Sequence, residues 1–246
     1  FNSHSLKAKS TVKSDIRIVI HDQRTGTNPE LGFSIKSQLG GASTLLNAGK
    51  TTNFIYKVNK LYLTAKQISE INAIDTRSKI KDRIEKLKAF KGKLQFESPE
   101  SSVFENNLVL IDSALPKIIS EIVFLFFTSN FSKTSDLVTE ISKTNPLGYN
   151  LENNHPFYSY KIKRFLTDIA LGMMPSKVWG GVYDATGGYL IVKDNGDILC
   201  YHIYNKNQFE NYLYNNTKLE TASSTRHEYG IVYMEDGNYY FKLNIQ

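Results

Sequence analysis

Apolar and polar residues alternate with a period of two near the start of the chain, and this pattern predicts β-strands. The alternation runs over residues 15–20 and again over residues 31–36, on either side of a polar stretch that contains glycine and proline. That stretch is predicted to be a loop. Residues 53–58 are predicted to form a third strand, and residues 43–50 before it form either a short helix or an ordered loop.

The middle of the chain changes to helical spacing. Apolar residues recur every three or four positions over residues 68–87, and Asp75 is predicted to cap the second of two helices there. Three more helices are predicted at residues 115–127, 136–143 and 155–171. No run reaches the roughly 18 apolar residues of a membrane span, so we expect no membrane partner.

The last third of the chain returns to β-type patterns. Residues 188–193 and 197–204 flank an Asp-Asn-Gly turn, and residues 231–234 and 239–243 flank a second turn that contains Asp-Gly. Both arrangements predict β-hairpins. A short helix is predicted between them, over residues 207–214.

The first predicted hairpin has a pairing that would gather polar side chains on one face. If Ile20 faces Leu31 in an antiparallel pair, the period of two places Asp15 opposite Lys36. The apolar side chains of both strands then fall on the other face. The polar face collects Asp15, Arg17, Ser34 and Lys36. A carboxylate beside a lysine, an arginine and a hydroxyl is typical of a site rather than of a core.

This set of side chains suits the hydrolysis of a phosphodiester bond. That reaction needs a divalent ion, an activated water and positive charge near the phosphate. Asp15 offers an oxygen ligand of the kind that Mg²⁺ prefers, and Lys36 can orient the attacking water. An ordinary cross-strand ion pair has the same spacing, so spacing alone leaves both interpretations open.

Composition and charge favour a nucleic-acid partner. Lys and Arg number 30 against 24 Asp and Glu, and the resulting net charge of +6 suits a polyanion. The single cysteine, Cys200, excludes an internal disulfide framework and a cysteine-based zinc site, and it fits a reducing cytoplasm. His155, His202 and His227 lack the spacing of a zinc site. Because the chain begins at Phe1 rather than at Met, we expect a fragment or a processed product.

Two segments resemble the core of the PD-(D/E)XK nucleases. They are Lys13-Ser-Asp15-Ile and Gly32-Phe-Ser-Ile-Lys36-Ser. In that family the first acid opens one strand, and an acid-x-Lys motif lies on the next strand. Here Ser34 occupies the place of the second acid, and no Asp or Glu occurs between Lys36 and Glu70. Some members carry Ser there and bring a Glu from a helix, so the missing acid is expected before Phe1 or on a distant loop.

Longer blocks are similar to type II restriction endonucleases of the HpaII family, and together they cover nearly the whole chain. The blocks are residues 32–40, 44–48, 52–54, 154–158, 160–164, 184–188, 197–203, 216–218 and 224–227. The resemblance implies an α/β fold with a restriction-endonuclease-like mixed central sheet, flanking helices and a β-rich C-terminal portion. It also implies Mg²⁺-dependent cleavage of double-stranded DNA in a prokaryotic cytoplasm, with CCGG as the leading target. A palindromic target suits a homodimer, and a monomer that cuts one strand at a time is compatible with it as well.

The resemblance implies catalytic roles for Asp15, Ser34 and Lys36. Asp15 and the backbone carbonyl of Ile35 are expected to bind Mg²⁺, Lys36 is expected to orient the attacking water, and Ser34 is expected to support the site. Asp22 is the alternative first acid, although the alternation places it either on the apolar side of the hairpin or in the loop.

Two polar segments are candidate contacts for DNA phosphates or base edges. The first follows the second strand and contains Ser43, Thr44, Asn47, Lys50 and Asn53. The second contains Lys218, Arg226 and His227. A capped helix with solvated polar residues explains the first segment equally well, and one arginine in a loop does not identify a guanine contact.

The sequence near residues 145–155 is the best candidate for a break between two subdomains. Residues 1–148 are expected to contain the PD-(D/E)XK-like catalytic core and the helical region, and residues 149–246 an α+β portion that contributes to DNA recognition. One continuous domain is also compatible with the sequence. Two other functions stay open, namely a catalytically inactive DNA-binding relative and a DNA repair or processing nuclease of the same superfamily.

Overall fold

The computed structural model of this chain describes residues 13–37, 44–59 and 62–246. Within them lie two four-stranded sheets and eight α-helices. The strands are β1 (Ile16–Val19), β2 (Glu30–Ser37), β3 (Asn53–Asn59), β4 (Lys93–Pro99), β5 (Gly188–Val192), β6 (Ile198–His202), β7 (Val232–Glu235) and β8 (Asn238–Asn244). The helices are α1 (Ala65–Asn72), α2 (Lys79–Ala89), α3 (Ser102–Ile111), α4 (Leu115–Thr128), α5 (Thr134–Thr144), α6 (Phe157–Leu171), α7 (Lys206–Asn216) and α8 (Ser224–His227).

The two sheets differ in their pairing. The first has the order β1-β2-β5-β6 and is mixed, since β2 and β5 are parallel whereas the outer pairs are antiparallel. The second has the order β4-β3-β8-β7 and is antiparallel throughout. Each sheet combines strands from both sides of residue 148. The predicted α/β class, with a mixed sheet and a β-rich C-terminal portion, is confirmed, but the strands are divided between two sheets because the chain leaves the first sheet after β2.

The register of the first hairpin differs from the predicted one by two residues. Ile16 pairs with Phe33, which places Asp15 level with Ser34 rather than with Lys36. The predicted pairing of Asp15 with Lys36 is therefore wrong. Because side chains alternate with a period of two, a shift of two residues leaves each of them on its predicted face.

The turn between β1 and β2 sets this register. The backbone N–H of Asp22 donates to the carbonyl of Thr27 at 2.9 Å, and Gly26 takes a left-handed conformation at φ 67°. The Asp22 carboxylate accepts the backbone N–H groups of Arg24 and Thr25. Such side-chain hydrogen bonds are typical of Asp in turns. With the turn closed at Asp22 and Thr27, the backbone N–H of Ile20 donates to the carbonyl of Pro29, so Ile20 does not face the predicted Leu31.

The predicted apolar face of the first hairpin is only partly buried. Ile16 and Ile18 are 39% and 43% exposed, whereas Phe33 on β2 is buried. The difference follows from position, because β1 is the edge strand of its sheet and β2 lies inside it.

Two elements of the middle region were not predicted. Strand β4 alternates exposed residues with the half-buried Leu94 and Phe96, and α3 follows it directly. The lysine-rich stretch before β4 obscures this short alternation in the sequence. The predicted helix cap is also wrong, because α2 begins after Ser78 and Asp75 instead forms an ion pair with Lys79 at 3.0 Å.

Helix α4 lies at the centre of the fold. It packs against β4 and β8 of the second sheet and against α5 and α6. Its residues Ile118, Ile119 and Val123 are fully buried. Tyr56 on β3 reaches the same helix, and its hydroxyl donates to the backbone carbonyl of Ser120 at 2.7 Å. Helix α6 also contacts α7, and α7 packs against β6. The first sheet is therefore connected to α4 through α7 and α6.

Arg83 on α2 is a buried cation that joins three parts of the chain. Its guanidinium donates to the carbonyls of Asn72, Ile74 and Gly230, at 2.6 to 3.1 Å. Burial lowers the pKa of the guanidinium, and the negative charge of Asp75 opposes that change. The contacts satisfy carbonyl groups at the end of α1 and in the segment before β7.

Replacing Arg83 by methionine is expected to lower the free energy of unfolding by about 3 kcal/mol, because the partner carbonyls lose their donors. Lys88→Met is the matched control, since Lys88 is an exposed lysine on the same helix. Urea unfolding monitored by circular dichroism measures both variants. Equal stability of the two variants would show that the Arg83 contacts do not stabilise the fold.

None of the helices in the described ranges is long and apolar enough to span a membrane.

Candidate active site

Asp15 is fixed against β2 by three hydrogen bonds. Its backbone N–H donates to the carbonyl of Phe33 at 2.8 Å. Its carboxylate oxygen Oδ2 accepts the backbone N–H of Ile35 at 2.7 Å and the hydroxyl of Ser34 at 3.3 Å. Hydrogen bonds to a charged oxygen are among the stronger ones, so they hold the carboxylate in one place. Among the described residues, only Oδ2 of this carboxylate accepts a hydrogen bond, which leaves Oδ1 for a ligand.

The backbone of Ile35 offers a second oxygen beside this carboxylate. Within a strand, the N–H and C=O groups of one residue point to the same side. Because the N–H of Ile35 donates to Asp15, the carbonyl of Ile35 is directed to that side as well. A carboxylate and a carbonyl oxygen thus lie at the same edge of β2.

Lys36 lies on the same face of β2 as Ser34, since the two residues are two positions apart. Its Nζ atom is 3.5 Å from the backbone carbonyl of Thr44 and 5.8 Å from the centre of the Tyr189 ring. Burial lowers the pKa of the Lys36 ammonium, and the negative charge of Asp15 partly opposes this shift. Lys36 is half-buried, so its ammonium is only partly solvated, and the charge of Asp15 acts on it.

Ser34 and Tyr189 form the inner wall of the site. They are paired in the parallel ladder between β2 and β5, and both are buried. The Tyr189 hydroxyl donates to the carbonyl of Ala170 on α6 at 3.2 Å. Burial, with the nearby charge of Asp15, raises the pKa of Tyr189 well above its usual range, so the phenol stays neutral. This wall carries no charge. Ser34 offers a hydroxyl at the position where the PD-(D/E)XK motif has its second acid.

The two carboxylates considered as alternatives lie in different places. Asp22 belongs to the hairpin turn and uses its carboxylate to hold that turn, so it lies outside the site. Asp184 lies on the segment before β5, and its Oδ2 accepts the backbone N–H of Lys13, two residues before Asp15, at 3.2 Å.

The oxygen donors at Asp15 fit Mg²⁺ better than zinc. Across residues 13–37, 44–59 and 62–246, no three His, Cys, Asp or Glu side chains are grouped closely enough to hold a metal by themselves. Mg²⁺ keeps several water ligands and needs only one or two carboxylates together with phosphate oxygens. The Asp15 carboxylate and the Ile35 carbonyl meet that requirement.

One candidate DNA contact, Thr44, lines a cleft beside Lys36, and two others, Asn47 and Lys218, lie close to the cleft residues. A cleft of about 90 Å³ is lined by Lys36, Thr44, Tyr189, Asn216 and Thr217, among others. The hydroxyl of Thr44 donates to the side chain of Asn47 at 2.9 Å. Lys218 follows the cleft residues along the chain, is exposed and forms an ion pair with Glu220 at 2.9 Å. The fold therefore brings the segments at 44–47 and 216–218 together.

Three more candidates lie further along the same segments. Lys50 forms an ion pair with Glu228 at 2.6 Å, next to α8. Arg226 is exposed and His227 is half-buried, and both belong to the short helix α8 rather than to the predicted loop. Ser43 lies outside the described residues.

Asn53 is buried, which corrects its prediction as a DNA contact. Its side-chain amide donates to Glu100 at 2.7 Å and to the carbonyl of His227 at 2.9 Å. Its side-chain oxygen accepts from Asn244 at 2.7 Å. Since it is fully buried and its polar atoms are paired, Asn53 connects β3 to its neighbours and is not available to DNA.

Comparison with known proteins decides the family. The sequence model of the HpaII restriction endonuclease family matches residues 1–246. The chain belongs to the HpaII restriction endonuclease family. It is 54% identical over 241 residues to the type II restriction enzyme HpaII of Haemophilus parainfluenzae. The match covers 98% of this chain and 66% of that relative, so the chain spans less than two thirds of the relative's length. No solved structure matches the chain.

In this HpaII-family chain the sequence reasoning overlooked two residues that border the site. Tyr189 directly follows the Gly187-Gly188 pair, and Asp184 opens a block that resembles the family, yet neither was given a role. The position of Asp184 in that block was the available signal. Tyr189 reaches the site only because β5 pairs with β2, and no local pattern shows this pairing.

Proposed function

We propose that this chain carries the catalytic centre of a type II restriction endonuclease, which cleaves double-stranded DNA at CCGG with Mg²⁺. One observation carries the proposal, namely the Asp15 carboxylate held at 2.7 Å from the Ile35 N–H, with Lys36 on the same face of β2 as Ser34. Membership of the HpaII restriction endonuclease family supports it. The target sequence rests on the name of the relative and on the resemblance of the quoted blocks.

The roles of the residues follow from their positions. Asp15 and the Ile35 carbonyl would hold Mg²⁺, and the ion would supply positive charge at the phosphate and lower the pKa of a bound water. Lys36 orients that water and stabilises the negative charge that develops on the phosphate. Ser34 donates a hydrogen bond to Asp15 and keeps its carboxylate in position.

The surface beside the site binds the DNA backbone and the base edges. Thr44 borders the cleft at Lys36, Asn47 is hydrogen-bonded to Thr44, and Lys218 follows the cleft residue Thr217. Lys50, Arg226 and His227 extend the surface. The part of the chain after residue 148 thus contributes to recognition. A palindromic target suits a twofold homodimer, in which each copy cuts one strand.

The test is cleavage of a plasmid that contains CCGG sites by the purified chain. We expect discrete fragments whose ends map to CCGG when Mg²⁺ is present. When the metal is removed with EDTA, the fragments should be absent, because Asp15 and Lys36 cannot activate the water by themselves. The matched control is the same plasmid with its CCGG sites altered.

A catalytically inactive DNA-binding relative is the second candidate, and buried Ser34 in the place of an acid favours it. Binding to CCGG duplexes without any cleavage would support this second function and contradict the first. Fragments with ends at damaged or branched DNA would instead indicate a repair or processing nuclease.

A further inference from the structure

Asp184 is held rigidly on the segment between α6 and β5. Its backbone N–H donates to the carbonyl of Leu171 at the end of α6, at 2.9 Å. The preceding residue, Tyr183, donates its hydroxyl to the buried Asp168 on the same helix at 2.5 Å. The next residue, Ala185, donates its backbone N–H to the same Leu171 carbonyl at 3.0 Å, so the segment is tied to α6 on both sides of Asp184.

The same segment crosses the face of β2 that carries Ser34 and Lys36. Gly32 lies two residues before Ser34 and thus on that face. A Cβ atom at Gly32 would lie 2.4 Å from the backbone carbonyl oxygen of Asp184, so the two backbones are in direct contact there. The Asp184 backbone therefore lies against β2 two residues before Ser34, on the face that carries the Ser34 side chain.

The Asp184 carboxylate joins the segment that leads to Asp15. Its Oδ2 accepts the N–H of Lys13, two residues before Asp15. The Asp184 carboxylate is thus held against the backbone of the segment that carries Asp15 into the site.

A buried polar atom points to a ligand at this place. The Ser14 hydroxyl is only 5% exposed, and among the described residues it has no hydrogen-bond partner. It lies 3.3 Å from the position that a Cβ atom of Gly32 would take, beside the Asp184 carbonyl. Buried hydroxyl groups are paired in native proteins, with protein atoms or with ordered water, so Ser14 requires a partner here.

We propose that Asp184 supplies the second carboxylate of the metal site, in place of the acid that is absent at Ser34. The inference rests on the proposed function, because it assigns this carboxylate to the Mg²⁺ held at Asp15. In this arrangement the second acid comes from the segment before the neighbouring parallel strand instead of from β2 itself. Two carboxylates with water and phosphate oxygens are a sufficient ligand set for Mg²⁺.

The experiment is a titration of the purified chain with Mn²⁺, in which electron paramagnetic resonance measures the free ion. Asp184→Asn keeps an oxygen that can accept the Lys13 N–H but removes the charge, so a purely structural role would survive the change. We expect this variant to bind Mn²⁺ about tenfold or more weakly. Asp194→Asn is the matched control, because Asp194 is an exposed aspartate at the other end of β5. Asp15→Asn is the reference variant, in which we expect Mn²⁺ binding to weaken because the first carboxylate of the site is removed.

The outcomes separate this inference from the proposed function. Weakened binding in Asp184→Asn with unchanged binding in Asp194→Asn supports the role of Asp184. If only Asp15→Asn weakens binding, the role of Asp184 is overturned and the proposed function stands. If neither weakens it, or if the unaltered chain does not bind Mn²⁺, both are overturned. Should Asp184→Asn unfold, Asp184→Glu retains the charge and is expected to retain binding, and its loss would contradict the inference.

Discussion

Replacing Lys36 by methionine is expected to reduce DNA cleavage by about 10³-fold while leaving the folded chain at least as stable at neutral pH. In the proposed function cleavage falls, because the Lys36 ammonium is the charge assigned to orient the water and to stabilise the phosphate. Stability does not fall, because burial lowers the pKa of Lys36, which means that its charged form is less favourable in the folded chain than in the unfolded one. Methionine fills a similar volume and carries no charge.

The stability difference between the two proteins should depend on pH in a defined direction. The folded pKa of Lys36 lies below its ordinary value of 10.5. Below the folded pKa, the unaltered protein carries the full cost of the buried charge. Between the folded pKa and 10.5 the unfolded chain binds more protons, so the stability of the unaltered protein rises with pH. The advantage of Lys36→Met is therefore greatest at neutral pH and disappears above 10.5.

Thermal melts at neutral and alkaline pH, together with plasmid cleavage, measure these effects. Lys117→Met is the control, because Lys117 is an exposed lysine on α4, outside the site residues. It should alter neither cleavage nor the melting temperature. If Lys36→Met cut DNA at the normal rate, the assignment of Lys36 to the site would be refuted. A large loss of stability at pH 7 would refute the argument from burial.

Replacing Gly32 by alanine is expected to lower the free energy of unfolding by about 3 kcal/mol and to abolish the geometry of the site. The added Cβ atom would lie 2.4 Å from the backbone oxygen of Asp184 and 2.9 Å from the Cβ atom of Ser14. Neither neighbour is the end of a flexible side chain, so the backbone of β2 or of the segment before β5 must move. The strain acts where β2 meets the residues around Asp15.

Gly180→Ala is the matched control, since a Cβ atom there would meet no atom within 4 Å. In calorimetry we expect Gly32→Ala to melt roughly 6–12 °C lower than the unaltered chain and Gly180→Ala to melt close to it. Cleavage by Gly32→Ala should also fall at temperatures well below its melting transition. If the two variants proved equally stable, the close contact between Gly32 and Asp184 would be contradicted.

Elements whose signals are local could be predicted from the sequence. The hairpin between β5 and β6 follows from its Asp-Asn-Gly turn, and α4 and α6 follow from their helical spacing. The face shared by Asp15, Ser34 and Lys36 also follows from the period of two. It survives the error in register, because a shift of two residues does not change the face.

Contacts between segments that are distant in the chain could not be predicted from local sequence patterns. The register of the first hairpin depends on how the Asp22 side chain closes its turn. The burial of Asn53 depends on partners at Glu100 and Asn244, which lie far from it in the chain. From the sequence, a polar residue with such partners looks the same as a polar residue at a surface.

The sequence by itself determined the family and the shared face of Asp15, Ser34 and Lys36, because the blocks of resemblance extend over the chain and the alternation of side chains along a strand is local. Only the tertiary structure decided what surrounds them. Pairing of β2 with β5 brings Tyr189 beside Ser34 and Asp184 against Gly32. The physical reason is that a parallel pair joins strands that are distant in sequence, so the neighbours of β2 depend on packing of the whole fold rather than on any local pattern.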